Sequence, residues 1–171
     1  MYHRGAVSKG GAYSRLLLGR HPFARAELSG SLAYADIRGT VEFFSTPLGV
    51  VVCTEVSGLP YDKDAGTASQ IYGMHIHNTG KCTGGEGAPF SDAGEHFDTS
   101  GLPHPYHSGD LPTLFGNNGY AWGAVLTNRF TPEDIIGRAV IIHRDADDMK
   151  TQPSGASGER VACGAITRIG Y

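Results

Sequence analysis

His75-Ile76-His77 sets two imidazoles two residues apart in an apolar, glycine-containing run, Ile71-Tyr72-Gly73-Met74-His75-Ile76-His77. Such a run reads as a strand, and on a strand residues two apart share a face, roughly 7 Å apart at Cα. Two imidazoles on one face can grip a single metal ion, and imidazole suits zinc and copper. Six of the eight histidines fall between residues 75 and 143. His96, then His104 after seven residues, His107 after two and Asp110 after two more supply three imidazoles and a carboxylate. That inventory suits tetrahedral Zn(II). His143 ends another apolar run. Together these are seven groups, one short of two four-coordinate sites. One imidazole can serve two ions, because its two nitrogens face opposite ways. On these residues alone, one site, two sites and unrelated histidines all remain open. His3 and His21, outside the cluster, read as ordinary histidines.

The elements that must position these groups read as strands. Runs rich in Val, Ile, Thr and aromatic residues recur at 26–33, 37–45, 48–56, 70–78, 120–130, 137–144 and 160–169, with turn residues between them. The pair 37–45 and 48–56 reads as a hairpin closed at Pro47. Thr131-Pro132-Glu133-Asp134 could open one short helical turn, and nothing else reads as helix. Residues 79–119 are rich in Gly and Pro and show almost no periodicity. A stretch that long without regular structure is expected to be functional, and ligands within it let metals order it. Phe97 and Trp122 read as core residues.

Size and composition agree with an all-β domain. At 171 residues, 40% of them hydrophobic, the chain fits one domain with a sizeable core. No apolar tract is long enough for a membrane-spanning helix. The formal net charge is −3, but it is unevenly spread. Residues 1–25 hold Arg4, Lys9, Arg15, Arg20 and Arg25 and no acid, so all 17 acids lie in the rest of the chain. We expect a basic extension over 1–25, disordered or draped on a domain spanning 26–171. It lacks the aromatic interleaving of a nucleic-acid arm and the amphipathic period of a membrane arm. Leu16-Leu17-Leu18 is too short for the apolar stretch of an export signal. Three cysteines leave room for one disulfide, and counting does not pair them. Cys53, in an apolar run, reads as a buried thiol.

Several segments then carry a resemblance. Gly73-Met74-His75-Ile76-His77, Gly94-Glu95-His96-Phe97-Asp98, His107-Ser108-Gly109-Asp110-Leu111, Gly137-Arg138-Ala139-Val140-Ile141-Ile142-His143 and Gly158-Glu159-Arg160-Val161-Ala162-Cys163-Gly164 resemble the copper,zinc superoxide dismutases, in that family's order. The resemblance covers roughly residues 26–168. Gly109-Asp110-Leu111-Pro112 and Thr151-Gln152-Pro153-Ser154-Gly155 look like the bacterial branch.

The resemblance implies an eight-stranded antiparallel Greek-key β-barrel, a flattened sandwich of immunoglobulin-like architecture with long metal-binding loops. It implies copper on His75, His77, His96 and His143, and zinc on His96, His104, His107 and Asp110, with His96 shared. It implies a disulfide between Cys82 and Cys163, Asp147 as the carboxylate linking ligands of the two metals, and Arg160 as the anion-docking arginine. The implied reaction takes two superoxide and two protons to O2 and H2O2 by a copper redox cycle with a zinc-supported bridging histidine. An alternative is a non-catalytic metal-binding or zinc-stabilised structural protein on the same fold. The chain departs from the pattern in two places. Only Pro105-Tyr106 separate His104 from His107, which implies a tighter loop. The Lys and Glu residues that guide superoxide in animal members have no clear counterpart, and Lys81 and Lys150 are the candidate substitutes. Superoxide is thus the expected partner, and monomer and homodimer both fit. The implied disulfide suits an oxidising compartment, whereas the lack of a legible export signal suits the cytoplasm.

Overall fold

The computed structural model describes residues 21–64 and 70–170. Among the described residues nine strands run in chain order: β1 Ala24–Gly30, β2 Arg38–Thr46, β3 Gly49–Ser57, β4 Ile71–Tyr72, β5 Met74–His77, β6 Leu114–Asn117, β7 Tyr120–Thr127, β8 Ala139–His143 and β9 Arg160–Arg168. They form one antiparallel sheet in the order β4-β6-β7-β3-β2-β1-β9-β8-β5. The sheet's two edges, β4 and β5, are consecutive in the chain and joined by Gly73 alone. The sheet therefore curls into a nearly closed barrel. The all-β expectation holds, with nine strands in place of eight. The run expected as one strand over 70–78 splits at Gly73, because β4 pairs with β6 while β5 pairs with β8. A Cβ at position 73 would lie 2.9 Å from the Ser157 side chain, which leaves room only for glycine.

The hairpin β2–β3 forms around Pro47-Leu48, with Thr46 facing Gly49. A second hairpin, β6–β7, lies partly in the stretch that shows no periodicity. Its turn is Asn118-Gly119 at φ 52° and 79°, the left-handed pair that a two-residue hairpin requires. The short helix α1, Pro132–Ile135, opens with a capping box: the Thr131 side chain and backbone face Asp134.

Alternation along the strands fills the barrel with Leu28, Val41, Phe43, Ile76, Val140, Ile142 and Ile166, among others, joined by Ile37 just before β2. A smaller cluster of Phe90, Ala93, Ala139, Ile141 and Cys163 packs on the outer side of β8 and β9. That cluster explains why all five residues of β8 are buried: one face meets the core and the other meets a loop. Phe97 is buried as expected, whereas Trp122 is 44% exposed and not a core residue. Its neighbour Ala121 points inward, so the period-two rule turns Trp122 out. Cys53 is a buried thiol outside the disulfide. Residues 1–20 of the expected extension lie outside the described residues. Its last residue, Arg25, sits in β1 and pairs with buried Glu42. Among the described residues no helix is long and apolar enough to cross a membrane.

Candidate metal centre

Strand register puts three imidazoles on one surface. Met74 and Ile76 face the core, so His75 and His77 face outward, opposite Ile141 and Ala139 of β8. His143 ends β8, where a register shift falls between Ile142 and His143. Ile141 faces Cys163 and Ile142 faces Ala162, but His143 faces Arg160, so β9 holds one extra residue there. Both Val161 and Ala162 consequently pack into the main core. Arg160 is left beside His143 on the outer side, the kind of re-aiming that bulges produce.

The segment between β5 and β6 supplies the other four groups. It returns twice to β5: the Phe97 N–H donates to the Ile76 carbonyl at 2.8 Å, and the Ile76 N–H donates to the Gly109 carbonyl at 2.9 Å. The Gly109 N–H donates to the Phe97 carbonyl at 2.7 Å, which locks the two returns together. His96 is thereby bridged to His77, and Asp110 to His75. Strand-like backbone thus fixes four ligands in a stretch without strand periodicity.

Two sets result, each with ligand atoms within 4.8 Å of one another: His75, His77, His96 and His143, and His96, His104, His107 and Asp110. His96 belongs to both. All are buried except His107, which is partly exposed. Nine buried side-chain atoms among the described residues lack a hydrogen-bond partner, and six are imidazole nitrogens: Nδ1 of His75, His104 and His107, and Nε2 of His77, His96 and His143. Burying so many unpaired polar atoms in one place is costly. Lone pairs directed at a cation remove that cost. His104 Nδ1 and His107 Nδ1 lie 3.1 and 3.2 Å from Asp110 Oδ2 without hydrogen-bond geometry, as co-ligands of one ion would. His96 Nδ1 lies 2.8 Å from Asp110 Oδ1. The donor sets, four nitrogens in one and three nitrogens with a carboxylate in the other, fit copper and zinc.

The opposite nitrogens are held from behind. Asp147 accepts from His75 Nε2 at 2.7 Å with one oxygen, and from His104 Nε2 at 2.9 Å and the Met149 N–H at 2.7 Å with the other. One carboxylate therefore orients a member of each set. Of the three acids at 145, 147 and 148, only Asp147 is buried. Burial pushes its carboxyl up, but the donors from His75, Met149 and His104 outweigh that and hold it below the usual carboxylate range. Asp110 behaves alike, with burial opposed by His96 and the other imidazoles. His77 Nδ1 donates to the Gly94 carbonyl at 2.8 Å. Burial, the leading cause in each case, lowers His75 to about 4, His77 to about 2 and His143 to about 3. These imidazoles stay neutral at physiological pH, the form that binds metal.

Arg160, half-buried, donates through its two terminal nitrogens to the carbonyls of Phe90 at 2.7 Å and Gly94 at 2.8 Å. Burial lowers its pKa, but an arginine stays charged. Its charge reaches the site, since it helps depress both His77 and His143. The disulfide joins Cys82 to Cys163 and ties the ligand-bearing segment to β9. Lys81 and Lys150 are both exposed.

Some site residues were not legible in the sequence. Gln152 pairs with the His104 backbone both ways, accepting its N–H at 3.0 Å and donating to its carbonyl at 2.6 Å. Gly155, at φ +71°, passes so close to Asp147 that a Cβ would lie 1.9 Å from its Oδ1. Both lie in the run that looks like the bacterial branch, which was the one available signal.

The family profile described as Copper/zinc superoxide dismutase (SODC) matches residues 37–166. A Cu-Zn superoxide dismutase of Deinococcus radiodurans is 37% identical over 166 residues, covering 86% of either chain. That of Photobacterium leiognathi is 35% identical over 146 residues, covering 75% of this chain and 78% of its own. The structure of the Cu/Zn superoxide dismutase from Brucella abortus is similar with a TM-score of 0.70 at 24% identity, over 83% of this chain and 98% of that one, a likeness of fold. The profile spans β2 to β9 with every ligand position, and relatives 35–37% identical cover three quarters or more of the chain, so the chain belongs to the copper/zinc superoxide dismutase family.

Proposed function

We propose that His75, His77, His96 and His143 hold copper and that His96, His104, His107 and Asp110 hold zinc, with Arg160 docking the substrate anion. The protein is a superoxide dismutase of the copper/zinc type, consuming two superoxide anions and two protons to give O2 and H2O2. The observation that carries the assignment is the membership of His96 in both sets, one nitrogen in each. Bound copper supplies a one-electron couple, and bound zinc supplies a fixed positive charge.

The chain's own groups do the rest. His96 presents Nε2 to the copper-side set and Nδ1 to the zinc-side set, so Nε2 is the atom at which it can hold a proton and pass it to reduced dioxygen. The ring keeps its orientation meanwhile, because Asp110 lies beside Nδ1. Asp147 keeps a proton on His75 Nε2 and on His104 Nε2, which leaves the Nδ1 lone pairs of both free to hold copper and zinc when bound. Arg160 attracts the anion from a fixed position, its guanidinium already anchored by two carbonyls. Because the body of the protein is acidic, attraction comes from this local charge and the metals and not from net charge. The non-catalytic alternative is not favoured: every copper-side position and Arg160 are filled.

The test is metal analysis, EPR of the Cu(II) form and a superoxide-consumption assay on reconstituted protein. One copper and one zinc per chain, with activity lost in His96→Ala, are expected. Fully loaded protein without activity above free metal overturns the reading.

A further inference from the structure

The zinc-side segment from His104 to Asp110 has little backbone structure of its own. The Tyr106 N–H donates to the Pro103 carbonyl just before it, and within it the Asp110 N–H donates to the His107 carbonyl. Three of its carbonyls converge instead on one cation: Arg129 Nη1 donates to Pro105 at 2.9 Å, His107 at 3.3 Å and Asp110 at 3.3 Å. Two of these carbonyls belong to residues of the zinc-side set, and the third follows His104 directly.

Arg129 is an exposed residue with an anchored backbone. It follows β7, its N–H donates to Thr127 Oγ1 at 3.2 Å, and the next residue, Phe130, is buried in the core. Among the described residues Arg129 makes no ion pair with a carboxylate. Its charge is therefore directed at the loop carbonyls. A guanidinium is a pre-organised, always-charged donor, suited to gathering several acceptors at once.

We propose that Arg129 is a positioning residue for the zinc-side ligands, setting the backbone spacing of His104, His107 and Asp110 by holding three carbonyls of their loop. The inference rests on the ligand assignment above. Three of the four-imidazole set lie outside its direct reach: His75, His77 and His143 are placed by β5 and β8, and the shared His96 is placed by the backbone return of Phe97 to Ile76. The consequence is selective. Losing Arg129 weakens zinc far more than copper, which it can reach only through the shared His96.

The test measures zinc and copper affinities separately, by chelator competition on the metal-free full chain, for wild type, Arg129→Ala and Arg129→Lys. Arg129→Ala is expected to weaken zinc about 10–100-fold, the usual cost of removing a partner behind a ligand, with copper affinity changed much less. Arg129→Lys, a point charge without the fork, is expected to fall between, and it serves if the alanine variant does not fold. Co(II) in the zinc-side set provides a spectroscopic readout, with its ligand-field bands expected to change in Arg129→Ala. Unchanged zinc affinity, or equal losses of zinc and copper, overturns the proposal. Wild-type protein that takes up no zinc overturns the ligand assignment itself and this inference with it, an outcome visible before any variant is made.

Discussion

Replacing Asp147 by Asn tests how the two metal sets depend on one carboxylate. The side chain accepts three donors: His75 Nε2, His104 Nε2 and the Met149 N–H. Asparagine is nearly the same shape but presents one acceptor and one N–H2 donor. It can satisfy one imidazole as before. The other then meets an N–H donor and must shift its proton to Nδ1, the nitrogen that otherwise points into its set. A protonated Nδ1 has no lone pair for a metal. Loss of such a partner costs about 10–100-fold in metal affinity, or about 1.4–2.8 kcal/mol. Asp147→Asn is therefore expected to weaken one metal by that factor while the other changes much less. Asp147→Ala leaves both Nε2–H groups without an acceptor and should weaken both. Competition titrations with zinc and copper on metal-free protein read the two effects separately. Wild-type affinity for both metals in the Asn variant, or identical profiles for Asn and Ala, would refute the reasoning that Asp147 acts by fixing tautomers.

Further predictions concern neighbours of the same centre. Gly155→Ala forces a Cβ against Asp147 at a left-handed φ and should cost roughly 1–3 kcal/mol in chemical denaturation, with metal affinity reduced as well. A denaturation midpoint equal to wild type would count against the close approach. Removing the Cys82–Cys163 bridge by Cys82→Ser with Cys163→Ser frees a loop spanning 81 residues and should cost about 4–5 kcal/mol of stability in the chain-entropy treatment. The same change loosens Phe90, whose carbonyl anchors Arg160, so the dismutation rate should fall even with both metals bound. Metal-free protein should also lose stability in acid. His75, His77 and His143 stay neutral in the folded state down to about 4, 2 and 3, whereas unfolded histidine takes up a proton below about 6.5. The unfolded state binds more protons across that window, so stability falls as pH drops through it, by about 2 kcal/mol per histidine between pH 7 and 5. Urea denaturation at the two pH values checks this, and a flat profile would contradict it.

How far the sequence revealed the molecule depended on where each signal lay. Strands such as β2, β3 and β8 were legible because each is an apolar run rich in β-branched or aromatic residues and bounded by turn residues. The seven ligand groups were legible as a set, since residue type and spacing are sequence properties. Their division into two sets sharing His96 came from the resemblance and from the geometry, not from spacing. Strand β6 was hidden because four residues beside glycines carry no measurable period, although Asn118-Gly119 marked the turn. The split at Gly73 was hidden for a different reason: it depends on which distant strand each half pairs with. Trp122 misled because its size outweighed its place in the alternation. Arg129 and Gln152 were invisible because they act on backbone carbonyls, which any sequence offers everywhere.

The Gly94 carbonyl accepts both from Arg160 and from His77 Nδ1. One backbone oxygen thus fixes the tautomer of a proposed copper ligand and the position of the proposed anion-docking guanidinium. No side-chain exchange can retune that oxygen, because every residue carries the same carbonyl. Residue 94 is also confined to glycine by its backbone, at φ 77° and ψ −155°. On the proposed roles of Arg160 and His77, anion docking and metal binding are therefore adjustable only together at this point. A redesign aimed at a different anion would have to work from Arg160 outward and leave the peptide at 94 alone.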